Sequence, residues 1–195
     1  MDKKNWKQDL PDLVLLQKEL KRERYKRRFR KLLRSTVNAL VVVAAVAALI
    51  ATLVLPVLQI AGTSMEPSLN DGDIVLLMKT DRLETGDLCA FYYSNKILIK
   101  RIIAIPGDYL WINPDGTVYL NGTELYEPYV SEKALGECDV EFPYQVPENQ
   151  YFMMGDHRET SIDSRSSVIG SIAEDQIIGK ILCRIWPLDQ FLWMG

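Results

Sequence analysis

The chain has little histidine or cysteine, and this scarcity excludes several kinds of functional site. Its three cysteines, Cys89, Cys138 and Cys183, form no Cys-x-x-Cys pair, so we expect no zinc site. A Gly-x-Ser-x-Gly motif is also missing, which argues against the nucleophile elbow of an α/β-hydrolase. A serine hydrolase with a histidine base would have to use His157, the one histidine of the chain. We expect neither a metal nor a cofactor.

Charge is divided unevenly along the chain. Residues 1–35 carry 13 Lys+Arg against 5 Asp+Glu, whereas the remaining residues carry 10 against 21. The basic block at 18–31 could bind nucleic acid if it stood alone. Its position just ahead of an apolar run favours a topology signal instead, so we expect no nucleic-acid partner.

The apolar run extends from Val37 to Leu58, 22 residues without a charge. As a helix it would be ~33 Å long, enough to cross a bilayer. Basic flanks stay cytoplasmic, which predicts a cytoplasmic N-terminus and an extracytoplasmic C-terminal part. A cleaved signal peptide is the alternative, but the run is long for one, and Gln59 and Ala61 make a poor cleavage site. We expect an uncleaved anchor whose helix bends or ends near Pro56.

The sequence thus predicts three segments: a basic cytoplasmic segment at 1–36, a transmembrane signal anchor at 37–60, and an extracytoplasmic catalytic domain at 61–195. Beyond the anchor, short β-rich runs alternate with turns, and no segment has a sustained helical period. We therefore expect a mostly β protein, an antiparallel β-sheet domain on one N-terminal transmembrane helix. The predicted strands are Ile74–Met78, Leu88–Tyr93, Ile97–Ile105, Thr117–Leu120 with Thr123–Tyr126 as a hairpin, and Ile177–Trp186. Residues 126–147 look like a long loop without an assigned role.

A serine lies just past the apolar run, in Gly62-Thr63-Ser64-Met65-Glu66-Pro67, and a nucleophile there would need a base. His157 is one candidate and Lys100 is the other. A lysine serves as a base only if apolar surroundings lower its pKa. Lys100 lies in such a strand, where strict alternation would place Leu98, Ile102 and Ala104 on its face.

Four sequence blocks, in order behind the apolar run, resemble the bacterial type I signal peptidases, which are membrane-anchored Ser/Lys proteases. The blocks are GTSMEP at 62–67, GDIV at 72–75, KRIIAIPGD at 100–108 and GDHRETSIDSR at 155–165. The resemblance implies a serine endopeptidase that cleaves signal peptides from exported preproteins after small-x-small motifs, in the cell membrane and near the secretion translocon.

The resemblance also implies roles for individual residues. Ser64 would be the nucleophile and Lys100 the neutral general base, with Ser161 bonded to the lysine amine. Asp163 and Arg165 would form a supporting ion pair. The backbone N–H groups of Ser64 and Gly62 would bind the oxyanion. His157 would then be a loop residue.

By the same resemblance, an extended signal peptide would pair with open strand edges at 58–62 and 97–100. Five apolar side chains are expected to line its pockets, although an apolar pattern fits a core equally well. These are Ile60, Met65, Leu69, Val75 and Ile99.

Several alternatives stay open. The aromatic C-terminal segment 186–195 either dips into the lipid bilayer or packs on the β domain. One disulfide could form among the three cysteines, although buried free thiols are the simpler expectation. The chain could also be a self-cleaving Ser/Lys protein of the SOS-repressor kind, or a non-catalytic or pilus-associated relative that acts in surface-protein assembly.

Overall fold

A computed structural model describes residues 13–194 of the chain, which divides after Ile50 into two units. The first unit holds most of one helix, α1 (Leu13–Val54). Within α1, the stretch Leu16–Leu49 is long and apolar enough to cross a membrane. Residues 1–12 of the predicted basic segment lie outside the described residues.

The helix ends earlier than the apolar run that predicted it. Pro56 lacks an N–H and disfavours a helical conformation of the residue before it, so α1 stops at Val54. Val57–Gln59, which fall inside the predicted anchor 37–60, instead form strand β1 and pair with β2.

In the part of the second unit that the structure describes, twelve strands form two antiparallel sheets. The strands are β1 (Val57–Gln59), β2 (Ile74–Met78), β3 (Leu88–Tyr93), β4 (Lys96–Ala104), β5 (Tyr109–Ile112), β6 (Val118–Leu120), β7 (Thr123–Glu124), β8 (Tyr144–Gln145), β9 (Gln150–Met154), β10 (Ile172–Ala173), β11 (Ile177–Trp186) and β12 (Leu192–Trp193). Short 3-10 helices cover Glu174–Gln176 and Leu188–Gln190.

The larger sheet has the order β1-β2-β11-β3-β4-β9-β10, with β12 also paired to β11, and the smaller one has the order β7-β6-β5-β8. The predicted mostly β, antiparallel architecture is confirmed. The hairpin expected around Asn121-Gly122 is present as β6 and β7, whose residues Leu120 and Thr123 pair.

The larger sheet is strongly curved. Strands β1 and β4 are separated in it by three strands, yet residues of both line one cleft. Among the described residues, the outer edge of β1 has no paired strand, and β9 pairs only with the part of β4 from Arg101 onward. Two open strand edges therefore border the cleft.

The predicted strict alternation of side chains between the two faces of β4 is wrong at the C-terminal end of the strand. Leu98 and Ile102 pack in one apolar cluster with Phe91, as expected, but Ala104 packs in a different cluster together with its neighbour Ile103. The pairing of β4 with β9 shifts register between Ile102 and Ala104. Such a bulge adds one residue to a strand and moves every later side chain to the other face.

All three cysteines are free thiols, so the alternative of a disulfide is not realised. Cys89 and Cys183 are buried, and burial raises the pKa of the Cys89 thiol to about 12. Cys138 is only half-buried and its thiol lies 3.9 Å from the Val140 carbonyl oxygen.

Candidate active site

Ser64 and Lys100 meet although 36 residues separate them in the chain. Ser64 lies in the loop after β1. Lys100 lies in β4 at the last residue of its open edge, since β9 pairs with β4 from Arg101 onward. The Lys100 Nζ is 2.8 Å from Ser64 Oγ and 2.9 Å from Ser161 Oγ. Lys100 is 4% exposed and Ser161 is fully buried, so the amine is held between two hydroxyl groups and away from bulk water.

Ser161 lies in the loop at 155–165, whose conformation holds it next to Lys100. Asp163 accepts hydrogen bonds from the backbone N–H of Gly155 at 2.9 Å and from the Arg165 guanidinium at 2.8 Å. The pair is fully buried and two-pronged, since Arg165 Nη2 also donates to the second carboxylate oxygen. Paired and hydrogen-bonded charges of this kind hold a loop in one conformation.

Gly155 permits the closest approach in the site. A Cβ on this residue would lie 2.2 Å from Ser161 Oγ and 2.5 Å from the Ser64 carbonyl oxygen. The loop can therefore lie against both serines only because residue 155 has no side chain. Gly155 stands in one of the four sequence blocks, but nothing in the sequence indicates this close approach.

Burial lowers the pKa of Lys100 to about 8, from an ordinary value of 10.5, because the charged amine loses water. The nearby carboxylates of Asp163 and Asp156 oppose this effect, whereas the Arg165 guanidinium adds to it. Among the described residues, Asp163 accepts hydrogen bonds from Arg165 and Gly155 and none from Lys100. Pairing Asp163 with Arg165 thus limits the attraction that would keep the lysine protonated.

His157 does not reach the reacting groups. Its ring Nδ1 lies 3.1 Å from Thr160 Oγ1, and its backbone N–H donates to the Ser64 carbonyl oxygen at 3.1 Å. The residue therefore contributes backbone structure to the site, while its side chain bonds within its own turn.

The two expected oxyanion donors differ in their surroundings. Within residues 13–194, no group accepts a hydrogen bond from the Ser64 N–H. The Gly62 N–H, by contrast, donates to the Asp71 carboxylate at 2.8 Å. It would have to leave Asp71 before it could bind an oxyanion, a constraint that the sequence pattern did not reveal.

A cleft of about 300 Å³ opens over Ser64 and Lys100 and runs between residues 58–62 and 97–100. Three of the five expected substrate-binding side chains line it: Ile60, Met65 and Ile99. Leu69 and Val75 are fully buried in the apolar cluster beside it and do not line it. Apolar patterning cannot separate a pocket wall from a core, because both exclude water.

Two further contacts were not foreseen. Arg158 and Glu127 form a fully buried ion pair next to the loop, and Arg101 makes two hydrogen bonds to Asp156, at 2.8 and 2.6 Å. Arg101 and Arg158 both stand in sequence blocks singled out above, and for Arg101 a charge within an otherwise apolar strand was a usable signal. Glu127 lies in the predicted long loop at 126–147, where the sequence gave no such signal.

Comparison with known proteins supplies the wider context. The family described as "Signal peptidase, peptidase S26" matches residues 33–186. Signal peptidase IB of Staphylococcus aureus strain Mu50 is 36% identical over an alignment of 152 residues, with coverage of 68% of this chain and 78% of that protein. Signal peptidase I of Bacillus licheniformis is 35% identical over 144 residues, 67% and 76% of the two chains.

Among solved structures, a crystal structure of a signal peptidase I from Enterococcus faecalis V583 aligns with a TM-score of 0.44 and 25% identity, over 52% of this chain and 98% of that one. The family match covers most of the chain, including all four sequence blocks and every residue of the site. The chain belongs to the S26 peptidase family, the signal peptidases.

Proposed function

We propose that this chain is a membrane-anchored signal peptidase I, with Ser64 as nucleophile and Lys100 as general base. The observation that carries the proposal is the 2.8 Å contact between Lys100 Nζ and Ser64 Oγ, at the floor of a cleft with two open strand edges. Nucleophile and base within hydrogen-bond reach, with a third group orienting the base, is the arrangement that such chemistry requires.

In the proposed reaction, neutral Lys100 takes the hydroxyl proton of Ser64 as Oγ bonds to the scissile carbonyl carbon. The Lys100 ammonium then gives that proton to the leaving amine, the peptide C–N bond breaks, and an acyl-enzyme ester remains. A water molecule, deprotonated by Lys100, attacks the ester carbonyl carbon, the bond from that carbon to Ser64 Oγ breaks, and Oγ takes the proton from the Lys100 ammonium. The signal peptide leaves with a free C-terminal carboxyl group. Ser161 keeps the amine oriented throughout.

The lowered pKa makes this base usable at neutral pH. With a pKa of about 8, roughly one Lys100 in ten is neutral at pH 7, about 300 times more than with the ordinary value of 10.5. A hydroxyl partner suits this purpose, because Ser161 can accept from or donate to the amine without adding a charge.

For the oxyanion, the Ser64 N–H is the first proposed donor and the Gly62 N–H the second. A bound carbonyl would have to compete with Asp71 for the Gly62 N–H, so this donor acts only after that bond opens. Preplaced donors of this kind stabilise the charge that develops in the transition state.

The proposed substrates are preproteins whose signal peptides end in small-x-small residues. An extended peptide can add as a strand to the open edges at 58–62 and 97–100, which supplies affinity without reading side chains. Selectivity would come from the apolar walls at Ile60, Met65 and Ile99, where shallow subsites would admit small side chains only. Leu69 and Val75 would act indirectly, by supporting these walls from the core.

The test is cleavage of a preprotein with an Ala-x-Ala site in detergent. Ser64→Ala and Lys100→Ala should abolish cleavage, whereas His157→Ala should retain it. Lys96→Ala is the matched control, since Lys96 lies on the same strand but is exposed. Loss of activity in Ser64→Ala and His157→Ala, with Lys100→Ala still active, would refute the lysine base. A wild-type chain that cuts no preprotein would instead support the non-catalytic or pilus-associated alternative.

We further propose the membrane topology that the charge pattern predicts, with residues 1–36 cytoplasmic and the catalytic domain extracytoplasmic. Helix α1 supports the anchor, but it ends at Val54, so the domain begins with β1. The test uses cysteine-free chains with one new cysteine, either near residue 20 or at the exposed Ser94. A membrane-impermeant reagent added to intact cells should label the cysteine at position 94 and not the one near residue 20. Labelling at the first position and not the second would refute this orientation.

The C-terminal aromatic segment is proposed to contact lipid. Its backbone packs on the sheet through β12 and Met194 packs against the apolar core, but its larger apolar side chains are exposed, Leu188 by 73% and Trp193 by 60%. Register places Val57, Leu76, Cys183 and Trp193 in one row across four strands. The segment thus lies a few strand spacings from Val57, the first residue of β1.

This contact can be measured by fluorescence quenching with brominated lipids in nanodiscs. The chain has four tryptophans, so variants that keep only Trp193 or only Trp111 are practical. Trp111 is the matched control, because it is also exposed but lies on the smaller sheet. Stronger quenching of Trp193 supports lipid contact, and equal quenching at both positions would contradict it.

A further inference from the structure

The segment from Glu127 to Val140, here called the strap, lies along the loop that carries Ser161. It contains no helix or strand, yet it is bonded to the loop region at both ends. Near its end, the Asp139 and Val140 N–H groups donate to the Arg165 carbonyl oxygen at 3.1 and 3.3 Å, and Asp139 accepts from Ser167. In its middle, the Leu135 carbonyl oxygen accepts from Arg165 at 2.6 Å.

The start of the strap makes the most buried of these contacts. Both oxygens of Glu127 accept from the Arg158 guanidinium, at 3.1 and 2.5 Å, and both side chains are essentially inaccessible to water. Arg158 Nε also donates to the Gly155 carbonyl oxygen at 3.1 Å. Glu127 therefore fixes, through Arg158, the residue that lies against Ser64 and Ser161.

A second contact leads from the strap to the strand of the candidate base. The Tyr129 ring lies over the Arg101 guanidinium, with 3.9 Å from the guanidinium carbon to the ring centroid, and its hydroxyl donates to Glu127 at 3.1 Å. Arg101 follows Lys100 directly in β4 and is held by Asp156 of the loop. Tyr129 thus joins Glu127 to a residue adjacent to Lys100.

The strap also passes very close to the loop backbone. A Cβ at Gly136 would lie 2.4 Å from the Arg158 carbonyl oxygen and 2.8 Å from Arg165 Nη1. Contacts at the start, middle and end of the strap therefore all converge on one loop.

We propose that Glu127 and Tyr129 are positioning residues of the peptidase site, which hold the loop 155–165 and the Lys100 strand in their catalytic arrangement. They touch neither substrate nor the reacting atoms, and they act through Arg158 and Arg101. This inference rests on the proposed function for its kinetic consequence, but its structural consequence at Lys100 can be measured separately.

The consequence follows from burial. If the loop loosens, Ser161 moves from Lys100 and water reaches the amine, so the charged form of the lysine becomes less unfavourable. The charged groups around Lys100 are Asp163, Asp156 and Arg165, and none of them is changed by a substitution in the strap. The titration of Lys100 should then move to higher pH, and the rise of activity with pH should move with it.

The experiment compares full-length wild type, Glu127→Gln and Tyr129→Phe in detergent. The matched control is Glu124→Gln, which removes a carboxylate from a half-exposed ion pair with Lys133 in the same region. For each protein, kcat and KM for preprotein cleavage are measured across pH. The side-chain NMR resonance of Lys100, assigned by its loss in Lys100→Met, is titrated in parallel.

Glu127→Gln should lower kcat by up to about 100-fold, with KM little changed, because a small displacement of catalytic groups is enough for such a loss. Both the activity profile and the Lys100 titration should move to higher pH. Tyr129→Phe removes only a hydroxyl, so its changes should be smaller and in the same direction. Glu124→Gln should behave as wild type.

Unchanged Lys100 titration in folded Glu127→Gln would overturn the inference, as would a loss of activity that merely follows the folded fraction. If Glu127→Gln does not fold, Tyr129→Phe decides by the same two readouts. A wild-type chain that cuts no preprotein would refute the proposed function alone, since the NMR titration still tests the strap. Normal cleavage by Glu127→Gln, with an unchanged Lys100 titration, would refute only the role proposed for the strap.

Discussion

Replacing Lys100 by methionine should change how the stability of the folded domain depends on pH. In the wild type, the pKa of Lys100 is lowered from 10.5 to about 8 by burial. Below pH 8 the lysine is charged in both the folded and unfolded states, and the folded state bears the cost of a buried charge. Between about 8 and 10.5 the folded state has released this proton while the unfolded state still holds it, so wild-type stability rises.

The size of this effect follows from the two pKa values. At about 1.4 kcal/mol per pH unit, the cost of the buried charge is about 3 kcal/mol at neutral pH and disappears above about pH 10.5. The methionine variant has no such charge, but it also loses the bonds to Ser64 and Ser161, a penalty largely independent of pH. The stability difference between the two proteins should therefore change by about 3 kcal/mol, in favour of the wild type as pH rises.

Thermal unfolding followed by tryptophan fluorescence in detergent measures this difference. For a domain of this size, about 3 kcal/mol corresponds to a change of about 10 °C in the Tm difference between neutral pH and about pH 10.5. Lys133→Met is the control: Lys133 is exposed with a raised pKa, so its Tm offset should stay constant over this range. A Tm difference for Lys100→Met that does not vary with pH would refute the account of a buried, easily deprotonated lysine.

Four other outcomes are expected. Wild-type kcat/KM for preprotein cleavage should rise about tenfold per pH unit below pH 8 and level off above it, because only the neutral form of Lys100 could act as the proposed base; a profile flat from about pH 6 to about pH 10 would exclude a lysine base. Ser161→Ala should lower kcat on the order of 10- to 100-fold at nearly constant KM, since the amine loses an orienting partner, and a larger effect on KM would indicate a role in binding instead. Gly155→Ala should lower both activity and Tm, because its Cβ would overlap Ser161 Oγ and the Ser64 carbonyl oxygen; wild-type kinetics would show that the loop can move away. A thiol reagent should label Cys138 before the two buried cysteines, as mass spectrometry of the digested protein would show, and simultaneous labelling of all three would indicate local opening.

The strands were predictable because their residues carry the signals locally. β2, β3 and β11 begin and end where the turn residues and β-branched runs placed them, and Asn121-Gly122 formed the expected hairpin. The end of the helix near Pro56 was also predicted, but the anchor was drawn to residue 60, because the apolar run continues past Pro56 into a strand. Apolar residues occur equally in a membrane span, in a pocket wall and in a core. For this reason Leu69 and Val75 were predicted to line the pocket but lie in the core.

Contacts between distant segments could not be read from local patterns. The bond from Gly62 to Asp71 occupies a donor that the sequence left free, and the bulge in β4 moves Ala104 to another face. Glu127 lies in an irregular segment, and nothing next to it in sequence indicates its partner Arg158. Such pairings depend on which loops the folded sheets bring together, and loop conformation is the least locally determined part of a chain.

The sequence by itself determined the membrane anchor, the β-rich composition of the domain, and the residue types of the site, because hydropathy, turn residues and motif order are properties of neighbouring residues. Only the tertiary structure decided that Lys100 is buried, that its amine lies between Ser64 and Ser161, and that two open strand edges face each other across them. The physical reason is that a lysine becomes a usable base through desolvation, and desolvation depends on every segment that packs around the amine.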